Sequence, residues 1–221
     1  LCLGYNKGIK YDNIYYKITD ELFDFVNENP NIHLKLSRQY LSEIAYQLKL
    51  ALLLIPFEDF SKAKYSTNVF YLFYNYLKEN ELLELEDDSF GMFLENWLLL
   101  KEDDVYDDQF EQIAISNIKN LLFEELNIEV VNIPYYENRD TAISVLEKVI
   151  KDNLYNLKSY HVLVNDALMV CHLADSEFHT TEPIFLTWDK SFTEFRKQYK
   201  KRFNRVEIIS WHLESTRFVP P

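Results

Sequence analysis

Glycine is nearly missing from this chain of 221 residues; the only three stand at positions 4, 8 and 91. Loops that cradle a phosphate need glycine for positive φ and close backbone approach, so a Gly-rich nucleotide-binding loop is excluded. Cysteine is almost as scarce. Cys2 and Cys171 match no metal-ligand spacing and cannot make a disulfide framework, which points to a reducing cytoplasm. His161, His172 and His212 do not fall at a metal spacing, and there is no Ser-centred nucleophile motif and no His-Glu-x-x-His. The longest apolar run, Leu50–Phe57, is too short to span a bilayer, and no signal-peptide pattern is visible, so no membrane association is expected. Positive charge is also short. Lys and Arg number 23 against 36 Asp and Glu, a net charge of −13, which argues against nucleic-acid binding over the whole surface but leaves room for a local basic strip.

What is present is apolar and aromatic. Hydrophobic residues make up 48% of the chain, with 16 Tyr, 16 Phe and 3 Trp, enough for a sizeable core. Residues 18–29 read as an amphipathic helix stopped by Pro30. In "NIHLKLS", Ile32, Leu34 and Leu36 alternate with His33 and Lys35, the period of a strand. Ser37 is placed as the N-cap of a helix over 38–55, with Leu41, Ile44, Ala45, Leu48 and Leu52 as its core stripe. Residues 57–127 read as mostly helical and strongly acidic. From there the pattern is a strand in "IEVVNIP" (128–134), helices over 138–156 and 159–178, a strand at 184–188, a helix over 190–203 and a strand in "VEIISW" (206–211). Short apolar strands alternating with helices predict an α/β fold, a parallel sheet covered on both faces, with 57–127 as a helical insertion.

Two acids are singled out by their setting. On a helix, Asp166 has Val162, Leu163, Met169 and Val170 at i−4, i−3, i+3 and i+4, so its carboxylate projects from a face that should be buried. Such a group needs a cation, an arginine or a set of backbone donors. Asp189 follows the "IFLT" strand, where ligand sites of open α/β sheets lie, and also where a helix N-cap belongs.

Together, "NDALMVCHLAD" and "PIFLTWDKSF" resemble the C-terminal half of PIN-domain nucleases, in which a helix carries an Asp and a later strand ends in Thr-x-Asp-x-x-Phe. Here those positions are Asp166, Thr187, Asp189 and Phe192; the match extends over residues 128–211. The resemblance implies a single domain over 1–221, a three-layer α/β/α PIN-like fold with a central parallel sheet and the large helical insertion at 57–127. It implies a divalent-metal-dependent nuclease, a ribonuclease first, with Mg²⁺ or Mn²⁺ held by Asp166, Asp189 and Glu43, the last in "LSRQYLSEIAYQL", and with the Thr187 hydroxyl assisting. The family's first-strand acid is either Asp12, in "IKYDNIYY", or lies upstream of Leu1. If neither holds, the site is incomplete and the chain is an inactive interaction module; a DNA-directed nuclease of a bacterial defence or toxin system is the third alternative. The basic run 196–205, with Arg196, Lys197, Lys200, Lys201, Arg202 and Arg205 around Tyr199 and Phe203, is the expected nucleic-acid strip. The insertion is open to service as a lid, a dimer surface or a docking element for a protein partner.

Overall fold

The computed structural model describes residues 14–58, 66–83, 88–175, 184–187, 189–198 and 207–210. The chain divides into two compact units, 1–132 and 133–221. In the first, α1 (Ile14–Glu28), β1 (Lys35–Ser37), α2 (Arg38–Leu52), α3 (Val69–Glu79), α4 (Phe90–Leu98), α5 (Phe110–Asn120) and β2 (Glu129–Val131) follow in order. In the second come α6 (Arg139–Asp152), α7 (Tyr160–Ala174), β3 (Ile184–Thr187), α8 (Lys190–Gln198) and β4 (Glu207–Ser210). Among the described residues, no helix is long and apolar enough to cross a membrane.

The expected three-layer fold is not what forms. Among the described residues the strands make two separate two-stranded parallel ladders, β1 with β2 and β3 with β4, and helices make up most of the chain. The reason is visible in β1 and β2. A central strand of a covered parallel sheet is apolar on both faces. Here Lys35 is registered opposite Glu129, and the two pair at 3.1 Å with both side chains exposed. Strands of three and four residues also carry too little apolar surface to organise a sheet, so the core is built by helices instead. The strand expected over 128–134 narrows to Glu129–Val131, with Val130 and Val131 only half-buried.

Local signals fared better. The Ser37 hydroxyl accepts from the Gln39 backbone N–H at 3.3 Å and caps α2, whose Leu41, Ala45, Leu48 and Leu52 are buried as their spacing implied. The described residues of 57–127 are largely helical and help form the core of the first unit, α5 packing directly on α2. Much of the aromatic content gathers there. Tyr71, Phe73, Tyr74, Phe90, Phe93 and Trp97 meet in tilted and edge-on pairs between α3 and α4, geometries that suit the ring quadrupole. Both hydroxyls of that cluster are satisfied by Glu58, Tyr74 donating to its Oε1 at 2.9 Å and Tyr71 to its backbone carbonyl at 3.4 Å, while Glu58 Oε2 accepts from the Phe90 N–H at the start of α4 at 2.9 Å. Burial and the neighbouring Glu58 push the Tyr74 phenol well above its ordinary pKa.

The second unit is built on α6 and α7, which pack along Ala142, Ile143, Leu146, Val149 and Ile150 against Leu163, Ala167 and Val170, with Phe192 and Phe195 of α8 buried beside them. The shortage of glycine has a cost in both units. Glu81, Leu99, Asn127 and Leu154 all take positive φ, between 53° and 57°, where glycine would carry no steric penalty. Leu154 closes α6 with φ 55° and is 92% exposed, so its side chain gives nothing back in packing. Leu154→Gly is therefore expected to stabilise the protein by about 0.5–1 kcal/mol, read as a higher urea midpoint at unchanged m-value.

Candidate functional site

Asp166 is buried on α7, 3% exposed, between Leu163, Ala167, Met169 and Val170, as its apolar flanks required. Its counter-charge is Lys158. The lysine stands in the irregular segment between α6 and α7 and donates from Nζ to Asp166 Oδ2 and to Asp189 Oδ2, joining the two carboxylates through one ammonium. Nζ also lies 3.3 Å from Ser191 Oγ and 5.5 Å from the centroid of the Phe192 ring. The site is therefore two acids, a hydroxyl and an aromatic face converging on one positive charge.

Each element supplies a part. Helix α7 holds Asp166 in a fixed rotation. The turn from β3 into α8 presents Asp189, and Thr187 shapes it by accepting the Asp189 N–H at its Oγ1, 3.1 Å. Asp189 divides its two oxygens. Oδ1 accepts from the Ser191 N–H at 2.8 Å, the N-cap bond of α8, and Oδ2 goes to Lys158. The helix-cap role and the site role, alternatives on sequence grounds, are held by one side chain. Phe192 packs against Phe185 of β3 in a tilted pair, ring centroids 4.9 Å apart. The ordered Thr-x-Asp-x-x-Phe run thus has a physical use at every named position.

Electrostatics fix the charge states. Burial would lower the Lys158 pKa, but Asp166 and then Asp189 outweigh it and hold the ammonium above its ordinary value. Burial would raise Asp189; the Lys158 hydrogen bond and charge, with the Ser191 N–H, outweigh that and hold its carboxyl below the usual range.

Glu43 lies half-buried on α2 of the first unit. Arg196 is half-buried on α8, and Lys197 is exposed but paired with Glu194 at 2.6 Å. Lys200, Lys201, Arg202 and Arg205 lie outside the described residues, as does Asp12. Buried His172 has its Nδ1 2.8 Å from the hydroxyl of Tyr136, whose pKa is pushed up to about 12 by burial and by Asp175. Sequence reasoning missed Lys158 and Ser191. One signal was available: Lys158 is the only Lys or Arg between Lys151 and Lys190.

Among the described residues, no three His, Cys, Asp or Glu side chains gather closely enough to hold a metal. Asp166 and Asp189 still direct one oxygen each to a single point, with the Ser191 hydroxyl beside it. Two carboxylate oxygens, a hydroxyl and water suit Mg²⁺ or Mn²⁺, which keep much of their hydration shell. Comparison with protein-family models, curated proteins and solved structures finds no match to this chain.

The pKa shifts set a pH window. Asp189, lowered from 3.8, contributes stability that is present above that value and is lost as pH falls through its folded pKa. Lys158, raised from 10.5, contributes stability that is full below that value and is lost as pH rises through its folded pKa. Lys158→Met should cost about 3 kcal/mol near neutral pH, because two acids lose their counter-ion. The gap between wild type and variant, measured by urea unfolding, should narrow as pH falls and the uncompensated acids of the variant take up protons, and narrow again as pH rises through the folded pKa of Lys158.

Proposed function

We propose that this protein is a divalent-metal-dependent phosphodiester hydrolase, a ribonuclease first, working at Asp166 and Asp189. The observation that carries the reading is the convergence of both carboxylates on one point already adapted to a positive charge. The resemblance of "NDALMVCHLAD" and "PIFLTWDKSF" to PIN-domain nucleases supports the reaction class. The proposal concerns the site and not a three-layer sheet.

In this reading Asp166 and Asp189 are the residues that would hold Mg²⁺ or Mn²⁺. The ion would polarise the scissile phosphate and lower the pKa of an attacking water. The residues of the chain do the positioning. Asp166 is fixed by its place on α7. Asp189 is aimed by the Ser191 N–H on one oxygen, leaving the other for the site. Thr187 holds the turn that presents it. Phe185 and Phe192 close the apolar side, lowering the local dielectric and strengthening every charge interaction there. The run 196–205 as an RNA-guiding strip belongs to this same proposal.

A second reading is favoured by Lys158 itself. If the ammonium is a permanent occupant, the triad is an internal brace and the chain an interaction module without catalysis.

The test is cleavage of single-stranded RNA in Mn²⁺, with single-stranded DNA alongside. Asp166→Asn and Asp189→Asn, each verified as folded, should lower the rate by about a hundredfold or more. Cleavage unchanged in both variants would place the chemistry elsewhere. Faster cleavage of the DNA would make the protein a DNA-directed enzyme.

A further inference from the structure

The reaction just proposed does not require Lys158, yet its ammonium stands where the ion would sit. We infer that Lys158 is a resident counter-ion that competes with a divalent cation for Asp166 and Asp189, so that the lysine has to withdraw for the ion to bind. This rests on the metal-site reading above.

Geometry makes the competition exclusive. Both Oδ2 atoms are bonded to the same Nζ, so a cation coordinated by those oxygens takes the place of the ammonium. Charge gives the exchange a direction. Two carboxylates and one ammonium leave a net single negative charge in a largely buried place, whereas a divalent ion neutralises the pair in full. The lysine is a sufficient partner in the absence of metal and an incomplete one in its presence.

The movable partner is the lysine. Asp166 is set by α7 and Asp189 by its bond from the Ser191 N–H. Lys158 reaches in from residues 155–159, outside any helix or strand, where Asn156, Leu157 and Ser159 are exposed. Its unbranched stem can carry the ammonium back to water without disturbing α6 or α7, and the cost of desolvating it is recovered on leaving. Metal affinity is then set by the chain's own cation as well as by its acids.

The experiment uses the wild-type chain. It is acylated with an amine-reactive anhydride with and without Mn²⁺, modification of Lys158 is read by peptide mass spectrometry, and Mn²⁺ binding is followed by calorimetry on the same preparation. The expected result is that Mn²⁺ binds and acylation of Lys158 rises roughly fivefold or more as the ammonium leaves the carboxylates. Binding without a rise at Lys158 overturns the competition and leaves the metal site standing. No binding of Mn²⁺ overturns the metal-site reading, and the competition with it. Lys158→Met gives an independent measure. The folded variant should bind Mn²⁺ roughly tenfold more tightly than wild type, and equal or weaker binding would contradict the competition.

Discussion

A carboxylate on the buried face of a helix has to be neutralised where it stands, and the second unit is arranged around that requirement. Asp166 could not stay charged among Leu163, Ala167, Met169 and Val170 without a cation close by. The chain meets the need with Lys158, and the lysine in turn draws Asp189, Ser191 and Phe192 to the same place. One ammonium therefore ties the end of the α6–α7 connection to the middle of α7 and to the start of α8. Paired this way, a costly charge becomes a fixed point from which three elements take their position.

Much of this was legible in the sequence, and the boundary of legibility is physical. Helix starts and apolar faces are encoded by neighbours three and four residues apart. Ser37 as a cap, the stripe of α2 and the burial of Asp166 could all be read from such spacings. The need of Asp166 for a counter-charge followed from its flanks alone. The identity of that counter-charge did not, because Lys158 sits outside any helix or strand, where no periodicity points to a partner eight and thirty-one residues away.

Sheet architecture was the larger miss, for a related reason. Strand pairing joins residues far apart in sequence, and short apolar runs are equally compatible with a central sheet or with small ladders beside a helical core. The exposed pair Lys35–Glu129 distinguishes the two, since neither charge belongs in a strand covered on both faces. The dense aromatic content was a further hint. Six of those rings meet between α3 and α4 in the first unit, in edge-on and tilted pairs.

The central claim is that Lys158 and the two acids form one coupled charge unit. A thermodynamic double-mutant cycle on Lys158→Met and Asp189→Asn, by urea unfolding near neutral pH, tests it most directly. The coupling should be about 1.5–3 kcal/mol, with the double variant more stable than the sum of the single losses implies. Losses that simply add would mean that the lysine and the acids act independently, and would contradict the account.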